Sequence, residues 1–314
     1  MTCTGINNAL KYVAMYDETD WGVTPGSPTY YHVPFFGWDV MLDPDTRQAE
    51  PFIGTMQRKH SRNYRGYPHG QGHCALYGWQ PSGSGGVSLA QKMLDWSFGD
   101  LDNICPRSKG AEWAESGGSD ERRDTGLRVR SAVLRGSEDQ GFVDLTMDIV
   151  GQDEVSSFSP QAVPNDRNKL VEFEYPDVSF TLDGSTILCK AFIHQARRTL
   201  EMHYLNSHRP SLIAQADRVD TLVLVPQKTD ATWDAIQRLS TSTEVEGVIT
   251  MKGLHNGTGS GGTSYTKLTR TFPRLSFMNK RDSQGRVILF ETLNFMVLKP
   301  DTSDPCFTDA WSEE

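Results

Sequence analysis

Three side chains able to ligate a metal crowd into "PHGQGHC": His69, His73 and Cys74. Imidazole and thiolate hold zinc-type ions when four such ligands converge. This stretch is rich in glycine, has no helical pattern to fix ligand geometry, and finds no second cluster elsewhere. It reads as a polar loop rather than a metal centre. "QPSGSGGVS" and "GTGSGGTS" share only their glycines with loops that cradle phosphate, because neither ends in Gly-Lys-Ser/Thr. No G-x-S-x-G nucleophile turn occurs, and no pair of carboxylates is singled out by spacing. The expectation is a protein that is not an enzyme and carries no cofactor and no metal.

Charge gives a firmer signal. "MQRKHSRNYRGYPHG" places Arg58, Lys59, Arg62 and Arg65 beside Tyr64 and Tyr67. Such a cluster suits either a nucleic acid or the acidic surface of a neighbouring copy. The whole chain carries a formal charge of −9, against the pattern of tight nucleic-acid binders. An inter-subunit surface is therefore favoured. The last stretch, "DTSDPCFTDAWSEE", has acids and no base. It reads as a solvated acidic tail (301–314) or an arm that docks on a basic surface. Trp21, Trp38, Trp79, Trp96 and Trp233 offer platforms for sugar rings, with Trp96 and Trp233 on apolar helix faces that favour the core.

These residues must be positioned by a chain of 314 residues, 37% hydrophobic, which suggests two domains of ordinary size. No apolar run approaches the ~20 residues that cross a bilayer, so no membrane role is expected. "MTCTGINNALKYVAMYDE" lacks the charged start and apolar centre of a signal peptide. Five scattered cysteines with no C-x-x-C fit free thiols in a reducing cytoplasm.

Strand patterns dominate. Val143, Leu145, Met147 and Ile149 alternate with Asp144, Thr146 and Asp148, giving one apolar and one polar face. "SFTLDGSTILCKAFI" predicts a hairpin around Asp183-Gly184. "SLAQKMLDWSFG" and "TDATWDAIQRLS" each predict a short helix.

Landmarks also recur. Gln140-Gly141-x-Val143-x-Leu145 returns as Gln284-Gly285-x-Val287-x-Leu289, 144 residues later. "VPFFGWDV" at Val33 returns as "VEFEYPDV" at Val171, and Phe52-Ile53 as Phe192-Ile193. The order is strand, strand, helix, polar loop, strand, twice. This predicts a tandem duplication: 1–155 with a long loop at 106–126, a linker at 156–169, and 170–300 with a loop at 252–264. Each half is expected to be a β-sandwich or small barrel with one helix.

The N-terminal third resembles the opening of phage tail tube proteins, the major tail proteins of long-tailed phages. "YVAMYDETDWGVTPGSPTYYHVPFFGWDV" supplies the aromatic strand, the acidic residue and the aromatic-Gly-x-Thr-Pro turn, here Tyr12, Glu18, Trp21, Gly22, Thr24 and Pro25. "FIGTMQRKHSRNYRG", "KMLDWSFG" with Leu94 and Gly99, and "VSFTLDGSTI" are similar to later segments of that family. The long 106–126 segment and the acidic tail depart from it.

The resemblance implies an all-β fold whose strands join between subunits into a ring-shaped β-barrel. Rings stack into a hollow virion tube that houses the tape measure protein, meets terminator and baseplate or tail-tip proteins, and conducts genomic DNA without gripping it. A chain with two copies of the fold then implies a trimeric ring with pseudo-sixfold symmetry, assembled in the host cytoplasm. Asp144, Thr146 and Asp148 are the candidate lumen-facing positions, with Ile288, Phe290 and Thr292 as their counterparts 144 residues on. An ordinary solvent-facing strand remains the alternative. Rival readings are a tail terminator or baseplate hub ring and, from another class, a carbohydrate-binding β-sandwich.

Overall fold

The alternation along Val143–Val150 becomes a strand. Val143, Leu145, Met147 and Ile149 are fully covered, and Thr146 and Asp148 are partly exposed. The same two-residue logic runs through the computed structural model, which is mostly antiparallel strand. The structure describes residues 11–48, 61–78, 87–99, 107–115, 121–155, 172–205, 207, 209–227, 244–255, 264–284, 289–300 and 305–313.

The first half contributes β1 (Lys11–Asp17), β2 (Tyr31–His32), β3 (Phe35–Trp38), β4 (Met41–Gln48) and β5 (Ser61–Ala75). Helix α1 (Leu89–Phe98), β6 (Lys109–Glu115), β7 (Arg122–Ser137), β8 (Val143–Val150) and β9 (Asp153–Val155) follow. The second half contributes β10 (Ser179–Leu182), β11 (Ser185–Ile187), β12 (Cys189–His203) and β13 (Leu212–Pro226). It ends with β14 (Glu244–His255), β15 (Ser264–Gln284), β16 (Leu289–Val297) and β17 (Thr308–Glu313).

Strand pairing in the first half runs β2–β1–β6–β7–β8–β5–β4, with β3 also on β5 and β9 on the start of β7. In the second half it runs β11–β10–β14–β15–β16–β13–β12, with β17 on the early part of β15. The two orders correspond strand for strand, with β3 and β4 together standing where β12 stands.

The halves meet where Ser131–Ser137 of β7 pairs with Ala191–Arg197 of β12, over seven residue pairs. The outcome is one connected antiparallel sheet that does not close, so neither half forms a barrel of its own. A single apolar cluster runs beneath it, drawing on Met15, Leu94, Leu145, Phe192, Phe272 and Phe295.

Local chemistry explains the joints. Ser88 caps α1, its hydroxyl accepting from the Gln91 N–H at 3.1 Å, and Leu89, Met93, Leu94, Trp96 and Phe98 are buried. Asp183 and Gly184 both adopt positive φ, the geometry of a two-residue turn whose twist matches the flanking strands β10 and β11.

Several expectations need correcting. The 106–126 segment is not a long loop, because β6 and the start of β7 occupy most of it. Ala111 and Ala114 are buried there, and the composition of "KGAEWAE" hid that inward face. Lys252–His255 likewise belongs to β14 rather than to a loop. The acidic tail is not freely solvated: Thr308–Glu313 pairs with Thr266–Thr271 as β17. The second predicted helix, the 156–169 linker and Phe52-Ile53 lie outside the described residues.

The 144-residue shift also fails to mark equivalent positions. β15 continues to Gln284, whereas β7 ends at Ser137, so the β15–β16 hairpin is longer than β7–β8. Pairing with β5 and β13 places Asn294 and Met296 where Asp144 and Thr146 stand, instead of Ile288 and Phe290.

Candidate assembly interface

One face of the joined sheet is core and the other is accessible. On the accessible face, register aligns Thr146, Val133, Gln195, Thr221, Met296 and Ser276 into one row across β8, β7, β12, β13, β16 and β15. The row has no ionisable side chain among these six. Beside it, the polar positions of β8 have formed ion pairs.

Asp144 is 0% exposed, which corrects the expectation of an open carboxylate there. It accepts from Arg135 at 2.9 and 3.0 Å, from Gln140 Nε2 at 3.0 Å, and lies 2.6 Å from His73 Nε2. Asp148 accepts from Arg130 at 2.8 Å. At the matching place in the second half Asn294 Nδ2 donates to Asn279 Oδ1 at 2.6 Å. An ion pair in one half is an amide pair in the other. The face therefore carries compensated charge rather than a field of carboxylates. Asp144→Ala would strand several donors at once. It is expected to cost about 2–3 kcal/mol in urea unfolding, and more than Asp144→Asn, which keeps an acceptor.

His73 is thus engaged by Asp144, and Cys74 is fully buried, its thiol pushed up by desolvation. Among the described residues no group of three or more His, Cys, Asp or Glu converges as a metal site. No described helix is long and apolar enough to cross a membrane. Trp21 and Trp96 line one cavity of about 560 Å³. Trp96 is only 3% exposed and offers no stacking face. Much of the charge there is already matched: Asp17 takes Lys92 and Lys109, and Glu18 accepts from Gly22, Ser108 and Gly126.

The sheet's open edges are the second element. Within the chain, β12 covers the late part of β7. Its counterpart in the first half, β3 with β4, pairs only with β5. The counterpart of that part of β7 is Leu275–Arg281 of β15, which pairs with β16 but has no described strand on the side away from it. One chain thus ends in two edges that match each other as β12 matches β7. Each edge carries a bulge and an exposed apolar residue: Phe36, 53% exposed, and Met278, 51% exposed. An unpaired edge is a template for another strand.

The cis junction is held by charge as well as by its ladder. Arg198 donates to Gly99 O at 2.6 Å and Arg218 to Phe98 O at 2.9 Å, so second-half arginines finish the carbonyl end of α1. Arg270, fully buried, donates to Asp309 of β17 at 2.7 and 2.6 Å. Its third contact is His194 Nδ1 at 2.9 Å. A guanidinium only donates, so Nδ1 is the accepting nitrogen and the proton sits on Nε2, facing Asp220 at 3.6 Å. Burial holds the His194 pKa down to about 4, with Arg270 adding to the effect and Asp220 opposing it.

Behind the β4 edge, Arg122 donates to Val40 O, and Glu154 accepts from Leu42 N at 3.1 Å. Asp124 lies 3.4 Å from Arg122, and both its oxygens lack a hydrogen bond. Desolvation pushes its pKa up to about 7, Arg122 opposing and Glu154 reinforcing the rise. A raised carboxyl pKa means that the folded state keeps its proton longer than the unfolded chain. Stability from this group therefore falls as pH rises from about 4 to 7. Asp124→Asn is expected to raise the melting temperature at pH 8 and leave it nearly unchanged at pH 4, read by calorimetry at both.

Of the basic-surface candidates, Arg62 and Arg65 lie on β5 where it pairs with β4, at Arg47↔Arg62 and Asp45↔Arg65. Arg58 and Lys59 fall outside the described residues. Sequence reasoning missed Phe36 and Met278, whose signal is an apolar residue out of alternation at a bulge. A scan against protein-family models finds no match, and neither does a search of curated proteins.

Proposed function

We propose that the protein is a structural virion subunit that polymerises through its sheet edges into a phage tail tube. The observation that carries this reading is the repeated pairing order, joined in cis at β7–β12 and ending in two matching open edges. The resemblance of the N-terminal third to tail tube proteins supports it independently. On this reading β3–β4 of one chain pairs with Leu275–Arg281 of the next. Three chains supply six repeats and close a pseudo-sixfold ring, and closure removes the last edges.

The accessible face carrying Asp144, Thr146 and Asp148 then lines the channel. Because its acids are matched by Arg135 and Arg130, it neither grips a polyanion by counterion release nor repels it strongly. Tape measure protein and genomic DNA are the proposed contents.

Negative-stain electron microscopy of the purified chain, across concentration and salt, tests the reading. Hollow tubes or stacked rings with three chains per ring support it. Single rings that never stack would move the assignment to a terminator or hub. A monomer under every condition, including with the tape measure protein present, would overturn it.

A further inference from the structure

The two ends of the sheet differ in charge. β5 reaches its last partner on β8 at His69↔Val150, and Ser61–Pro68 continues beyond with only β4 beside it. Eight residues of strand extend about 25 Å at ~3.3 Å per residue. This projecting β4–β5 arm carries Arg47, Arg62 and Arg65 on its described strands, and Arg58 and Lys59 fall in the segment between them. Glu50 is the only acid from Arg47 to Arg65.

The opposite end of the same half is acidic. There β7 turns into β8 at Glu138 and Asp139, both exposed, Asp139 by 78% of its side chain. The segment holding Glu174 and Asp177, also exposed, is fastened against this turn by Tyr175 N donating to Gly141 O at 2.9 Å and Val143 N to Phe173 O at 2.9 Å. Lys190 at 3.3 Å from Asp139 is the nearby base, and Arg135 is already committed to Asp144.

The second half does not repeat this polarity. Its counterpart arm, from β12 to β13, mixes Arg197, Glu201, His203 and Asp217. Its counterpart of the acidic turn is the longer β15–β16 hairpin, which carries Lys280 and Arg281.

We propose that the basic β4–β5 arm of one copy docks end-on against the acidic β7–β8 turn and Glu174–Asp177 segment of a second copy. The inference rests on the tube reading and adds to it the contact that runs along the axis. Because only first halves carry both charges, it also fixes rotation: first half stacks over first half, and successive rings repeat every third of a turn. Opposite charge at matching ends sets register and speeds encounter, and salt weakens it.

The test uses the full chain with Arg62→Glu and Arg65→Glu together, compared by electron microscopy and light scattering in 50 and 500 mM salt. The expected result is intact rings whose stacks are at least tenfold shorter, with stacking regained when Glu138→Lys and Asp139→Lys are added. The unmodified chain should itself give shorter stacks at high salt. Tubes of undiminished length from the reversed arm would overturn the axial contact and leave the ring reading standing. Failure of the unmodified chain to form rings under any condition would overturn both.

Discussion

A chain carrying Met278→Lys is expected to remain monomeric at concentrations where the unmodified protein assembles. Met278 lies at the bulge between Phe277 and Asn279, on the part of β15 with no described strand beyond it. A lysine there places a hydrated charge where the next chain's edge would seat, a device by which natural sheets stop edge-to-edge growth. The residue is half exposed in the single chain, so its replacement should leave the fold intact. We expect the assembly concentration to rise at least 100-fold in sedimentation velocity, with an unchanged far-ultraviolet circular dichroism spectrum.

Phe36→Lys should do the same from the other edge. Mixing the two variants is the sharper experiment. Each keeps one sound edge, and these two edges are complementary, so the mixture should stop at a dimer. Rings from either variant alone, or no dimer from the mixture, would refute the edge assignment.

Arg270→Leu is expected to cost about 3–5 kcal/mol, the range for breaking a buried charge pair from one side. The guanidinium lies between the rings of Phe98 and Phe307, at 4.7 and 4.5 Å from their centroids. Its loss leaves Asp309 unmatched and removes the donor that fixes the His194 tautomer. Arg270→Lys should rescue little, because an ammonium cannot reach Asp309 and His194 as a planar fork does. Urea unfolding gives the magnitude. The loss should be accompanied by faster amide exchange along β17, which Arg270 ties to β15 through Asp309.

The same site gives a pH signature. His194 stays neutral in the folded chain down to about pH 4 but protonates near 6.5 when unfolded, so its contribution falls as pH drops through that window. Asp124 changes in the opposite sense over much of the same range. The wild-type profile is therefore flatter than that of a variant lacking either group.

The strands with clean alternation were legible in the sequence. Val143–Val150, the Asp183-Gly184 turn and the Ser88–Gly99 helix all follow from period and capping. The strand in "KGAEWAE" was not, because alanine and glycine give weak hydropathy contrast and only neighbours reveal what they bury. The closing segment misled for a related reason. Its acids suggested solvent, yet Asp309 is held by an arginine 39 residues earlier in the chain, a pairing that no local pattern encodes. The repeat was visible as a tendency, but the short matches carrying it do not superpose. Unequal hairpin lengths moved the register from Asp144 to Asn294. Asp144 itself was recognised as polar and misjudged as open, because its partners Arg135 and His73 come from neighbouring strands.

The β7–β12 ladder has a kinetic consequence. A contact between two repeats on separate chains must wait for diffusion, at a rate set by protein concentration. The same contact within one chain forms at an effective concentration fixed by the tether, commonly millimolar for short flexible links. Covalent fusion of the repeats therefore halves the number of collisions needed to close a six-repeat ring and lowers the order of its nucleation in protein. It also bars odd numbers of repeats, so a circle of five or seven is excluded by arithmetic before any energy is compared.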